Sequence, residues 1–131
     1  MTPLNRDYDF SGHTILVVED NLISYKLIEA NLSRTNLSLI HASDGKEALD
    51  HFTNNPGIDL VLMDIQLPVM NGLEVTEQMV QTRPGVPVIA TTANTFNDDR
   101  QACLNAGCSE YITKPISFDL LLEALHSHLK G

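Results

Sequence analysis

The stretch LVLMDIQLPVMNG, residues 60–72, decides the fold, because it sets a single acid, Asp64, at the end of an uninterrupted apolar run. Leu60, Val61, Leu62 and Met63 have the composition of a strand buried on both faces, as inside a parallel sheet, and residues 67–72 read as the loop that follows. A carboxylate there stands at a sheet edge. Taken alone, Asp64 is better read as a loop cap that accepts a backbone N–H two residues on. What the rest of the chain brings to that edge changes the reading.

Working outward, short apolar runs alternate with amphipathic stretches along the whole chain. Before the central run, Ile15-Leu16-Val17-Val18 reads as a first strand ending in Glu19-Asp20-Asn21. A helix follows from Leu22 to about Arg34, with Asp20 or Asn21 placed to cap it and Ile23, Leu27, Ile28 and Leu32 at helical spacing. Leu37-Ser38-Leu39-Ile40 gives a second strand, Asp44-Gly45 a turn, and residues 47–55 a helix whose Ala48, Leu49 and Phe52 face inward.

After the central run, residues 73–82 predict a third helix with Leu73, Thr76 and Val80 on one side. Residues 88–92 predict a fourth strand, and residues 97–106 a helix capped by Asn97, with Asp98 and Asp99 near its positive end. Tyr111-Ile112-Thr113 is the fifth strand, followed by Lys114-Pro115, and Phe118, Leu121, Leu122, Leu125 and Leu129 mark the last helix. Strict strand–helix alternation implies an α/β fold, a doubly wound five-stranded parallel sheet with right-handed crossovers.

With 131 residues, the chain is one domain, expected at residues 14–131 behind a linker or N-terminal extension of residues 1–13 in which Phe10 packs down. A net charge of −9 with no basic run argues against direct contact with nucleic acid or an anionic membrane surface. No segment approaches the roughly 20 apolar residues needed to cross a bilayer, and no secretory signal opens the chain, so a cytoplasmic location is expected. Cys103 and Cys108 read as reduced core thiols, His41, His51, His126 and His128 as surface histidines.

In an open α/β sheet, ligands gather beyond the carboxyl ends of the strands. Glu19 and Asp20, Asp64, Thr92 and Lys114 all stand at such ends, so three carboxylates, a hydroxyl and an ammonium converge. Crowded carboxylates repel, and at least one has its pKa raised unless a cation joins them. An oxygen-rich acidic cluster suits Mg2+, which prefers one or two carboxylates, waters and a phosphate oxygen. Such a site accepts a phosphoryl group, with Asp64 as nucleophile forming an acyl phosphate and Thr92 donating to a phosphoryl oxygen.

ILVVEDN at residues 15–21, LVLMDIQLPVMNG at 60–72, VIATTAN at 88–94 and CLNAGCSEYITKPI at 103–116 resemble the receiver domains of two-component response regulators and hybrid histidine kinases. The resemblance implies a flavodoxin-like sheet of order 2-1-3-4-5. It implies Asp64 as phosphoacceptor, Mg2+ held by Glu19, Asp20, Asp64 and the backbone carbonyl of Gln66, and Lys114 on the phosphoryl group. It further implies Thr92 and Tyr111 as a switch pair remodelling the face formed by helix 4, strand 5 and helix 5, a face available for dimerisation, and a cis Lys114–Pro115 bond. The phosphoryl donor is a phosphohistidine on a histidine kinase or histidine phosphotransfer domain.

Leu67 and Asn71 depart from the commonest family residues without touching this chemistry, while Gln66 and Asn94 occupy the variable positions that tune acyl-phosphate lifetime. The chain is expected to be either a stand-alone receiver or an excised terminal one, and EDN, CLNAG and the linker-like start are most similar to receivers at the C-terminus of hybrid sensor kinases, which would make it the cytoplasmic part of a membrane-bound sensor. It assists its own phosphorylation and dephosphorylation without being a turnover enzyme, and any kinase activity lies elsewhere in a parent chain. Three alternatives compete. An aspartyl-phosphate phosphatase or phosphomutase wants a second acid where Gln66 stands. A flavin binder wants a hydroxyl- and glycine-rich loop in place of Glu19-Asp20-Asn21. An inactive receiver that only binds partners is disfavoured by the complete set of acids, hydroxyl and lysine.

Overall fold

A computed structural model describes residues 8–67, 70–93 and 97–129, with the side chains of residues 97–99 outside that description. Five strands, β1 (Thr14–Val18), β2 (Ser38–Ala42), β3 (Leu60–Asp64), β4 (Val88–Thr92) and β5 (Glu110–Thr113), pair in parallel in the order β2-β1-β3-β4-β5. Helices α1 (Leu22–Leu32), α2 (Gly45–Asn54), α3 (Gly72–Thr82) and α4 (Asn97–Ala106) make the crossovers, and α5 (Phe118–Leu129) follows the last strand. The doubly wound expectation and its strand order hold.

Strands β3 and β4 are buried at every position, so their sequences are apolar on both faces, whereas the edge strand β2 is mostly half-exposed. Two cores result. Ile15, Val17, Leu60, Leu62 and Ile89 meet α1 and α5 on one face, and Leu16, Val18, Val61, Met63 and Val88 meet α2 and α3 on the other. Cys103 and Cys108 lie in the second core as thiols without a disulfide, as expected. Burial, reinforced by the neighbouring Cys103, pushes the Cys108 thiol up to about 12, so it stays protonated.

Several boundaries move for local reasons. Asn21 caps α1 by accepting the Ser24 N–H, but the helix ends at Leu32 and a 3-10 turn takes Ser33–Thr35. Its packed face is Tyr25, Ile28 and Leu32, while Ile23 and Leu27 point to solvent at 81% and 55% exposure. Helix α2 starts at Gly45, earlier than its apolar pattern suggests. Asp44 Oδ1 accepts the Glu47 N–H and Glu47 Oε1 accepts the Ser43 N–H, a reciprocal cap in place of a free turn.

Asn71 caps α3 through the Leu73 N–H. The expected capping of α4 by Asn97, Asp98 and Asp99 and the positions of Pro68 and Asn94 lie outside the described residues. Phe10 is buried at 4% exposure in the α1–α5 core, and its N–H donates to the Thr35 carbonyl. The Lys114–Pro115 bond is cis.

Candidate functional site

Because all five strands run parallel, β1, β3, β4 and β5 deliver their last residues to one edge. Asp64 ends β3 at 3% exposure. Its two oxygens have different partners: Oδ1 accepts the Gln66 N–H at 3.0 Å, and Oδ2 faces Lys114 Nζ at 3.1 Å. The loop cap is thus realised by Oδ1 alone, and Oδ2 is left facing the lysine.

Glu19 lies one residue past β1 and is likewise buried. Its Oε2 accepts the Asn21 N–H at 3.1 Å, while Oε1 stands 3.4 Å from Lys114 Nζ. Burial chiefly raises its pKa. The Asn21 N–H pulls the other way, the charge of Asp64 raises it further, and Lys114 lowers it without reversing the direction. The crowding of acids does raise one carboxyl, as expected, but removal from water contributes more than repulsion.

Lys114 leaves β5 with its backbone N–H on the Thr92 carbonyl at 2.8 Å, which points the start of its side chain along the sheet edge. Burial is the largest single influence on its ammonium and lowers the pKa. The charges and hydrogen bonds of Asp64, then of Glu19, together outweigh it, so the net direction is upward and the group remains charged.

Asp20 is exposed, and oxygens of Glu19, Asp20 and Asp64 lie within 4.8 Å of one another. The donors fit a hard divalent cation: all are carboxylate oxygens, two are held by backbone amides and a lysine, and the third opens to solvent as an entry route.

Of the remaining candidates, Thr92 is buried at the end of β4, one residue beyond the Asp64–Thr91 pair. Gln66 places its side-chain oxygen 3.3 Å from the Ala93 N–H, bridging the loops after β3 and β4. Tyr111 is not part of the acid cluster. It pairs with Ala90 on β5, half-buried, and lines a groove of about 380 Å3 with Leu104 and Leu120 between α4 and α5.

His41 corrects an expectation. It is half-buried, stacked on Tyr25 with ring centroids 3.9 Å apart, and its Nε2 lies 2.8 Å from the Glu19 carbonyl oxygen. Its place at the end of β2, level with Val17, was the available signal. Periodicity cannot reveal that contact, because it depends on β2 lying beside β1.

A family model described as the response regulator receiver domain matches residues 15–126. The chain is 38% identical over 123 residues to hybrid signal transduction histidine kinase I of Dictyostelium discoideum, covering 88% of this chain and 7% of that much longer protein. The receiver domain of a Pseudomonas aeruginosa sensor histidine kinase, solved with a magnesium ion coordinated in its active-site cleft, is 33% identical with a TM-score of 0.84, covering 92% of this chain and 100% of that one. A Saccharomyces cerevisiae co-crystal of a histidine phosphotransfer protein with the receiver domain of its downstream response regulator matches at 28% identity and a TM-score of 0.84, covering 92% and 90%. Strand order, the acid-lined edge and these likenesses agree, and the chain belongs to the response regulator receiver domains of two-component signalling.

Proposed function

We propose that Asp64 is the phosphoacceptor of this receiver and takes a phosphoryl group from a phosphohistidine. The observation that carries the reading is Asp64 Oδ2, buried and 3.1 Å from Lys114, within the cluster formed with Glu19 and Asp20. Oδ2 attacks phosphorus as the P–N bond of the donor breaks, and the electron pair returns to the imidazole nitrogen, which takes up a proton. The product is an acyl phosphate on Asp64. Lys114 then exchanges its carboxylate contact for a phosphoryl oxygen, and Thr92 donates to another.

Glu19, Asp20, Asp64 and the Gln66 backbone carbonyl would hold Mg2+, which would supply positive charge for the transferring oxygens. Oδ1 keeps the Gln66 N–H throughout, which holds the carboxylate plane while Oδ2 reacts. Gln66, whose amide spans the loop mouth, and Asn94 set how readily water reaches the acyl phosphate. Thr92 and Tyr111 couple phosphorylation to the face formed by α4, β5 and α5. The groove there is the surface on which a second copy docks.

The donor is a histidine kinase or a histidine phosphotransfer domain. Leu22, Ile23 and Leu27 expose apolar surface at 60%, 81% and 55% on α1, beside a cleft lined by Glu19, Leu27, Phe118 and Lys114, the lysine that contacts Asp64. Such a patch adjoining a charged site suits an amphipathic helix carrying the donor histidine. Residues 14–131 carry this function, with residues 1–13 as an N-terminal extension whose Phe10 packs into the core. The setting is cytoplasmic, as a lone receiver or as part of a hybrid sensor kinase. Among the described residues, no helix is long and apolar enough to cross a membrane.

The test is incubation with Mg2+ and acetyl phosphate followed by intact mass measurement on wild type, Asp64→Asn and Lys114→Ala. Wild type gains one phosphoryl group and Asp64→Asn gains none, while Lys114→Ala keeps Mg2+ binding but loses most of its output. A mutant at Asp64 that still carries the adduct would refute the assignment.

A further inference from the structure

The acid pair Glu19–Asp20 sits in a turn whose backbone is gripped from the side by one imidazole. The Glu19 N–H donates to the Ala42 carbonyl at 3.0 Å, carrying the β1–β2 ladder one residue past its end. A parallel ladder would next bring an N–H from residue 44 to the Glu19 carbonyl. Asp44 instead begins the cap of α2. Among the described residues, the hydrogen bond to this carbonyl comes from His41 Nε2, at 2.8 Å. A carbonyl only accepts, so Nε2 carries the proton.

The ring is fixed by more than this bond. It lies flat on Tyr25, 6° from parallel, and the Tyr25 N–H donates to the Asn21 carbonyl in the first turn of α1. One side chain therefore holds the residue before Asp20 and the helical turn after it. Glu19 is 2% exposed, so its carbonyl has poor access to water, and loss of the His41 donor would make the turn rotate toward a new partner. Both carboxylates ride on that turn.

We propose that His41 is a positioning residue for the Glu19–Asp20 pair, its Nε2–H replacing a missing ladder bond so that the two carboxylates converge on Asp64. This rests on the reading of Asp64 as phosphoacceptor with Mg2+ beside it. His41 touches neither the metal nor the phosphoryl group. It acts through the Glu19 backbone.

Two substitutions separate donor from shape. His41→Phe keeps a ring to stack on Tyr25 and removes the N–H, whereas His41→Gln restores an amide donor of comparable reach. In metal-free protein, His41→Phe speeds hydrogen exchange at the Asn21 amide, which depends on the Glu19 side chain staying in place. Mg2+ titration followed by amide NMR shows about tenfold weaker binding, the usual scale for losing an outer partner of a metal site. Phosphorylation by acetyl phosphate slows, and His41→Gln recovers both.

Wild-type ring 15N shifts in alkaline solution, which need no variant, place the proton on Nε2. A proton on Nδ1, unchanged Asn21 exchange and Mg2+ affinity in His41→Phe, or a His41→Gln protein as defective as His41→Phe would each overturn the proposal. Failure of wild type to take a phosphoryl group would instead sink the phosphoacceptor reading. The metal-free exchange and tautomer measurements would still test the role of His41.

Discussion

Replacing Gly72 by alanine should damage both stability and the site, through contact with the strand that carries Asp64. Gly72 opens α3 and donates its N–H to the Ile65 carbonyl at 3.2 Å. A Cβ there would stand 2.6 Å from the Asp64 carbonyl oxygen, 2.8 Å from Ile65 Cα and 3.0 Å from the Ile65 carbonyl oxygen. Ordinary contact begins at 3.4 Å, so about 0.8 Å must be found. All three atoms are backbone, and β3 is locked between β1 and β4, so α3 has to move. Overpacking of this kind costs roughly 1–3 kcal/mol. The stiffer unfolded chain of the alanine variant offsets about 0.4–1 kcal/mol. The net expectation is a loss of about 1.3 kcal/mol, from a total on the order of 5–15 kcal/mol.

Urea unfolding followed by circular dichroism reads this as a lower midpoint at unchanged slope. Gly57→Ala and Gly85→Ala are the controls, since nothing lies within 4 Å of either added Cβ, and both should be neutral or slightly stabilising. Gly45→Ala should fall between, because its nearest atoms, Val75 Cγ2 at 2.7 Å and Met70 Cβ and Sδ at 3.0 and 3.2 Å, belong to side chains. Phosphorylation of Gly72→Ala should slow as well, since the Asp64 backbone is what the new methyl strikes. A Gly72→Ala midpoint equal to wild type, or controls that lose as much, would refute the close-approach argument.

The two perturbed groups of the site make opposite ends of the pH–stability curve informative. Glu19 has a folded pKa above its ordinary 4.5, chiefly through burial, so the native state binds its proton first. The stability it contributes is complete below 4.5 and lost as pH rises through the folded value, a decline that Glu19→Gln should lack in urea midpoints measured across that range. Lys114 is shifted above 10.5 because Asp64 and Glu19 outweigh its burial, so its contribution persists at neutral pH and is lost as pH rises through the raised value. Lys114→Met should not show that alkaline loss. Phe10→Ala should lower the melting temperature by the equivalent of about 3 kcal/mol, as for a buried aromatic. A change no larger than that of a surface substitution would place residues 8–13 outside the folded unit.

What could be read from the sequence follows from how each segment is buried. Residues 60–64, 88–92, 97–106 and 118–129 have their expected bounds, because apolar runs or a one-sided stripe end there at Asp, Pro, Gly or Ser residues. Helix α1 was found but not its orientation. Leu22, Ile23, Tyr25, Leu27, Ile28 and Leu32 leave apolar residues on more than one side, and only packing on β1 selects Tyr25, Ile28 and Leu32. Strand β2 was expected at residues 37–40 and runs at Ser38–Ala42, since an edge strand takes its register from β1 rather than from its own polar tail. In the site, the strand-end rule placed Glu19, Asp20, Asp64, Thr92 and Lys114 on one edge. His41 escaped it, because its contribution is a side-chain bond across two strands.

The proposed role of Asp64 fits the division of labour between its two oxygens, one in a structural cap and one facing a lysine. Had both oxygens been engaged by backbone amides, the carboxylate would be well held and a poor nucleophile. Had neither been, a buried charge beside Glu19 would be strongly disfavoured. Oδ1 is bound by an amide that need not move, and Oδ2 by a lysine on a flexible stem that can. The same lysine is shared with Glu19 at a longer distance, so three acids face a single ammonium and the cluster retains a formal excess of two negative charges. That excess matches a divalent cation. A site left electrically incomplete by its own residues gains from ion binding, and its acids must therefore be held by the fold: Glu19 by Asn21, Ala42 and His41, and Asp64 by Gln66.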